Sequence, residues 1–220
     1  TAYEIYQCDW SSDVCSSDLT GWGTALPPKV LTNHDLEKMF DTNDEWIVER
    51  TGIRERHVGG TTVGLSVESG RMALEAAGLE PGQIDALVLS TTTPDRLVPA
   101  SSAAVQRELG LSCGAFDVNA ACSGFVYALV QAHGMIAMGA KKVLCIGTDT
   151  LARITDWSDR NTAVLFADGS GAVVLEAVEG PGQLLGWDLD ADGSAERFLG
   201  CDHGGLDRKS TRLNSSHTDI

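Results

Sequence analysis

The chain has 220 residues, 43% hydrophobic and 21% charged, which is a globular composition with enough length to bury a sizeable core. Its 16 basic and 31 acidic residues give a net charge of -15, which argues against a nucleic-acid partner because phosphate contacts need clustered Lys and Arg. No apolar run approaches the roughly 20 residues of a membrane span, and no basic segment leads into an apolar one as an export signal would.

The first stretch, residues 1–19, is rich in Ser and Asp and has neither helical nor alternating periodicity. The last, residues 207–220, is equally patternless. Flexible native termini are one reading. The sharp break at each end favours foreign sequence such as translated adapter, to be set aside when the fold is considered. Residues 20–206 then form the folded unit.

Within that unit, 33–40 opens on Asn33 as an N-cap and places Leu36, Met39 and Phe40 at helical spacing. Asp44 and Glu45 suit the first turn of a second helix, and Gly52 suits its end. A third helix covers 65–77 and stops at Gly78, followed by a turn at Glu80–Gln83. Residues 85–91 read as a fully buried strand, 101–109 as a helix ended by Gly110, and 115–120 as a strand. Residues 123–138 read as a helix ended by Gly139, and 141–149 as a second buried strand. Two strand runs around Gly169 fill 161–179, and the Gly- and Asp-rich remainder offers one more strand at 184–190. Buried strands alternating with helices predict an α/β layered fold with a mixed, largely parallel sheet.

Six cysteines in such a chain make neither a disulfide scaffold nor a zinc knuckle, and point to reduced thiols in a cytoplasmic setting. Cys122 stands apart because the strand at 115–120 runs straight into the helix at 123–138. A tight strand-to-helix turn pushes a side chain out of the sheet edge, as in a nucleophile elbow. The helix N-terminus adds partial positive charge and free N–H groups, which favour thiolate over thiol and suit a developing oxyanion. The bland alternative is an inert cysteine at a helix start.

The histidines supply no partner. His133 lies 11 residues after Cys122 on the same helix, ~16 Å along the axis, and is read as a packed or surface residue. His34 and His57 read as solvent-facing, and His203, two residues after Cys201, makes at most a weak metal pair. Gly21-x-Gly23 lacks the third glycine of a dinucleotide fingerprint, and Asp168–Gly171 lacks the Lys of a P-loop and reads as a turn between core strands.

Three longer segments carry a resemblance. VLTNHDLEKMFDTNDEWIVERTGIRER (30–56), DVNAACSGF (117–125) and DWSDRNTAVLFADGSGAVVL (156–175) resemble, in order, signature segments of β-ketoacyl-acyl-carrier-protein synthase III. The resemblance implies a thiolase-type fold, of which only the first of two pseudo-twofold halves is present. It implies a homodimer and a ping-pong reaction in which Cys122 takes an acyl group from acyl-CoA and passes it to malonyl-acyl carrier protein. The CoA thioester is a substrate, and no resident cofactor, metal or membrane is implied. Trp46 and Arg160 would sandwich the adenine, Thr42 would meet its edge, and Arg50 would meet the phosphate or pantetheine region. A plain i,i+4 pairing of Arg50 over Trp46 is the structural alternative. Leu97 and Val98 fall in the segment that reaches a partner's acyl pocket. Two departures stand out. The family's first strand would precede Gly21, where adapter-like residues stand, and the catalytic His and Asn lie in a second half this sequence lacks. The 220 residues alone are therefore expected not to condense. Other thiolase-superfamily acyltransferases, such as polyketide starter synthases or hydroxymethylglutaryl-CoA synthases, and a non-catalytic domain with a structural Cys122 are the alternatives.

Overall fold

The two fully buried runs form the centre of a five-stranded sheet in the computed structural model, which describes residues 16–180, 182, 184–201 and 213–215. The elements run β1 (Ser16–Ala25), β2 (Lys29–Thr32), α1 (Asn33–Leu36), α2 (Asp44–Thr51), β3 (Glu55–Val58), α3 (Thr62–Ala77) and β4 (Ala86–Ser90). They continue with α4 (Ser101–Leu109), β5 (Gly114–Val118), α5 (Gly124–Ala137), β6 (Lys142–Thr150), α6 (Arg160–Ala163), β7 (Asp168–Val178), β8 (Leu199–Cys201) and β9 (Leu213–Ser215).

The sheet order is β1-β7-β6-β4-β5. β4 pairs in parallel with β5 and β6, and β7 pairs antiparallel with β6 and β1. The sheet is mixed as expected, with its parallel character confined to the β6-β4-β5 side. Period-two alternation explains why every residue of β4 is buried. Leu87 and Leu89 join the α3 and α4 core on one face, while Ala86 and Val88 join the α5 core on the other. Each large aliphatic side chain buried this way contributes about 1.5–3 kcal/mol. Helix α3 also sits on a chain of buried hydroxyls: Ser66 to Thr148 at 2.7 Å, Thr148 to Ser170 at 2.6 Å and Ser170 to Ser69 at 2.6 Å. Each of these four hydroxyls has a partner, as burial demands.

Several expectations change. Ser16–Leu19, read as part of a patternless tail, are the start of β1 and pair with β7 from Val178 to Leu175. An edge strand needs backbone partners more than an alternating pattern, and Leu19 is left half exposed. Ser17 is buried and its hydroxyl meets His133 Nδ1 at 2.9 Å, which gives His133 its packed role. At the other end Leu213–Ser215 pairs with Leu199–Cys201. The remaining residues read as tails, together with His203, lie outside the described residues.

Residues 161–167 are not a strand. Arg160–Ala163 forms α6, capped by the Asp159 carboxylate on Asn161 N–H, so Asp168–Gly171 begins β7 and is not a turn. No strand forms at 184–190, where Leu185 and Trp187 are exposed. Thr32, not Asn33, caps α1, and the antiparallel pair β2–β3 brackets α1 and α2. His57 in β3 is half-buried, with Nδ1 2.6 Å from the Pro27 carbonyl, and does not face solvent.

Candidate functional site

The chain leaves β5 at Val118 and enters α5 at Gly124 through one tight turn, Ala121–Ser123. Ala121 has φ +46°, a left-handed conformation that costs a residue with a β-carbon roughly 1–2 kcal/mol. The turn lifts the next residue, Cys122, to the surface. Below it α5 is seated tightly on the sheet. A β-carbon on Gly124 would come within 2.2 Å of Ser90 Oγ, so a larger residue there would need the Ser90 side chain to rotate away. The Phe125 ring likewise lies against Gly147. Ser123 makes no side-chain cap, and the Gly124 N–H donates to the Ala121 carbonyl, so the sulfur lies at the positive end of the α5 dipole.

Cys122 opens onto a cleft of about 470 Å³ lined by Ser90, Phe125, Gly147, Asp149 and Asp168, among others. Among the described residues no histidine lines this cleft. Its two carboxylates, Asp149 and Asp168, are already committed. Asp149 Oδ1 accepts from Thr92 N–H at 2.8 Å and from the Thr92 and Thr93 hydroxyls at 2.9 and 3.1 Å. Asp168 accepts from Ala152 N–H at 2.8 Å and Gly59 N–H at 2.7 Å. Both shape the rim of the cleft by holding loops. Among the described residues no group of three His, Cys, Asp or Glu side chains is arranged to hold a metal.

Three described cysteines differ sharply in environment. Cys145 is buried in the α5 core, which pushes its thiol up to about 12. Cys113 is half-buried and its thiol is also pushed up by burial. Cys122 is exposed. Thiolate is the reactive form, so iodoacetamide at pH 8 is expected to modify Cys122 before Cys113 and Cys145, as read by peptide mass mapping. Faster modification of Cys113 would contradict this ordering.

A second cluster gathers around Trp46. Asn43 Oδ1 accepts the Trp46 N–H at 2.7 Å and starts α2, and Gly52 ends it in the left-handed conformation. Arg50, one turn on, places its guanidinium carbon 4.7 Å from the Trp46 ring centroid, and Arg160 from α6 places its own at 4.5 Å. Arg160 also donates to the Asp41 carbonyl at 3.2 Å. The neighbouring Thr42 hydroxyl is buried without a hydrogen-bond partner, an orphan that a ligand's polar edge would satisfy. The structure thus gathers Trp46, Arg50 and Arg160 and sets Thr42 beside them, with one difference from the expectation. Arg160 rests directly on the indole, whereas a ring held between them needs about 7 Å, twice the ~3.5 Å packing distance. Arg50 adopts the i,i+4 pairing at the same time. Leu97 and Val98 are 75% and 84% exposed and do not line the Cys122 cleft of their own chain.

Comparison with known proteins places these features in context. Residues 116–193, which include Cys122 and Arg160, match the family model of 3-oxoacyl-[acyl-carrier-protein] synthase III. A β-ketoacyl-[acyl-carrier-protein] synthase III of Brucella suis is 50% identical over 198 residues, 86% of this chain and 61% of that relative. The solved synthase III of Aquifex aeolicus superposes with a TM-score of 0.85 at 41% identity, over 90% of this chain and 64% of that one. The priming β-ketosynthase of the R1128 polyketide pathway superposes with a TM-score of 0.79 at 33% identity, over 85% and 57%. The chain therefore spans about three fifths of the length of the relatives it matches.

Proposed function

Since the chain belongs, over the residues it shares with these relatives, to the thiolase-like 3-oxoacyl-[acyl-carrier-protein] synthase III family, we propose that Cys122 is its acyl-accepting nucleophile. The observation that carries this reading is the exposed thiol on a strained turn at the uncapped start of α5, opening onto a cleft. In the first half-reaction the Cys122 thiolate attacks the carbonyl of an acyl-CoA. A new carbon–sulfur bond forms, the bond to the CoA sulfur breaks, and CoA leaves. The positive end of the α5 dipole suits the oxyanion formed on the way. In the second, malonyl-acyl carrier protein loses CO2, and the resulting carbanion attacks the acyl-cysteine. A β-ketoacyl carrier protein is released and the thiolate returns. This reaction initiates fatty acid synthesis in the cytoplasm. The CoA thioester serves as substrate, and no resident cofactor is needed.

The second half-reaction needs groups that stabilise an enolate, and no imidazole lines the Cys122 cleft among the described residues. The 220 residues by themselves are expected not to condense, and condensing activity from them alone would overturn that expectation. Helix α5 supports a further layer in the whole protein: its buried stripe is Gly124, Ala128, Ala132 and Ile136, while Val126 and Met138 remain 48% and 84% exposed. A helix apolar on all sides is normally covered on all sides. The exposed Leu97–Val98 tip fits a homodimer in which it reaches the partner's acyl pocket. Residues 1–19 and 207–220 are proposed to be foreign sequence, although Ser16–Leu19 and Leu213–Ser215 within them pair as strands.

The Trp46 cluster is proposed to take the adenine of the CoA thioester once Arg160 swings off the indole. Trp46→Ala is expected to weaken CoA binding about tenfold, within the 1–3 kcal/mol typical of a stacked base, and to leave 4′-phosphopantetheine binding unchanged. Calorimetric titration of both ligands checks it, and equal losses for both would contradict it. A starter-unit ketosynthase of secondary metabolism is the second reading, favoured by the likeness to the R1128 enzyme. Comparing which acyl-CoA acylates Cys122 separates the two.

A further inference from the structure

Arg56, in β3, is the largest fully buried side chain among the described residues and is 2% exposed. It has no ion-pair partner among them. Its hydrogen bonds all go to neutral oxygens. Nε and Nη2 both donate to the Val164 carbonyl, at 2.9 and 2.6 Å, and Nη1 donates to Asn33 Oδ1 at 2.6 Å. Asn33 is 1% exposed and passes the connection on. Its Nδ2 donates to Asp44 Oδ1 at 2.7 Å and to the Ile53 carbonyl at 2.8 Å.

The places these bonds reach are informative. Asp44 is the first residue of α2, and Ile53 follows its Gly52 cap, so Asn33 ties down both ends of the helix that carries Trp46. Val164 is the C-cap of α6, the short helix that begins with Arg160. Arg56 therefore links the support of Trp46 to the support of Arg160. The space between them is filled by Leu36, Ile47 and Val164, with Trp46 and Trp157 at its edge.

A buried guanidinium without a carboxylate is a costly way to fill a core, and apolar groups of the same size would often be more stable. Burial accordingly pulls the pKa of Arg56 below its ordinary value, although arginine stays charged at neutral pH. What arginine supplies that an apolar residue cannot is a rigid planar fork that grips two elements in fixed geometry. We propose that Arg56 and Asn33 are positioning residues that hold the α2 and α6 backbones at a set separation. An aromatic base then enters between Trp46 and Arg160 by side-chain rotation alone. This inference rests on the reading of the Trp46 cluster as the nucleotide end of the CoA site.

The test titrates CoA and 4′-phosphopantetheine calorimetrically into the protein carrying this sequence, as wild type, Arg56→Lys and Asn33→Ala, with thermal unfolding of each. Lysine keeps the charge but cannot bridge both acceptors. Asn33→Ala keeps the Arg56 grip on Val164 and releases α2, so it carries the test where Arg56→Lys does not fold. The expected result is about tenfold weaker CoA binding in the variants, with phosphopantetheine binding unchanged. A merely structural role would lower both in proportion to the folded fraction. Variants that keep the wild-type ratio of the two affinities would overturn the inference while leaving the nucleotide reading intact. A wild type that shows no preference for CoA over phosphopantetheine would overturn the nucleotide reading, and the inference with it.

Discussion

Replacing Cys122 by alanine is expected to abolish acyl transfer in the whole protein, lowering kcat/KM by about a thousandfold or more. In the proposed reaction the acyl-enzyme is the intermediate common to both half-reactions, and neither half-buried Cys113 nor buried Cys145 is placed to replace Cys122. The same substitution should leave the fold unchanged. Cys122 belongs to none of the three core clusters, and surface changes of this kind usually shift stability by less than ~0.5 kcal/mol. Steady-state condensation assays and thermal unfolding of the same preparation read the two effects separately. Retained activity in a folded Cys122→Ala protein would favour a structural cysteine in a non-catalytic domain.

The largest expected effect on stability lies at the opposite end of the sheet. β1 runs beneath α3 so closely that a β-carbon on Gly23 would come 2.2 Å from the Ser69 carbonyl oxygen and 2.7 Å from Ala73 N. On Gly21 it would come 2.3 Å from the Ala73 carbonyl. These are backbone atoms of a packed helix, so no side-chain rotation relieves the clash. Gly23→Ala is expected to destabilise by about 3 kcal/mol or more, the upper end of overpacking costs. Gly114→Ala is the control, because nothing lies within 4 Å of a β-carbon there. It should be neutral or slightly stabilising, by up to ~1 kcal/mol, through the unfolded chain. Urea unfolding of the two variants measures the contrast. Equal midpoints would show that β1 and α3 are not packed as described. The pair Gly21-x-Gly23 thus has a structural reason, close approach of strand and helix, where a phosphate-binding reason is excluded by the missing third glycine.

Legibility in the sequence followed the range of the interactions involved. β4 and β6 were readable because both faces are covered, which turns them into continuous apolar runs. The ends of α2, α3 and α4 were readable because Gly52, Gly78 and Gly110 take left-handed conformations that only a local signal is needed to announce. β2 and β3 were not, since Lys29–Thr32 and Glu55–Val58 are polar and the burial of Arg56 depends on Asn33 and Val164. Residues 161–167 looked like a strand because of their apolar run, of which Val164 packs with Leu36 of α1 and Ile47 of α2, a contact that no periodicity reveals. In the site, Cys122 was legible from a strand, a turn and a helix that are consecutive in the chain. The meeting of Trp46 with Arg160 came only from resemblance, because it depends on packing between segments distant in sequence. Asp149 and Asp168 gave no signal, since their roles are hydrogen bonds to the backbone and hydroxyls of other loops.

Brief exposure of the protein carrying this sequence to an acyl-CoA, followed by iodoacetamide and peptide mass mapping, tests the role of Cys122 most directly. One acyl group on Cys122 is expected, with none on Cys113 or Cys145, and the acylated thiol should be shielded from the alkylating agent. Acyl groups spread equally over the cysteines, or a Cys122 that alkylates as fast with acyl-CoA as without it, would contradict the assignment.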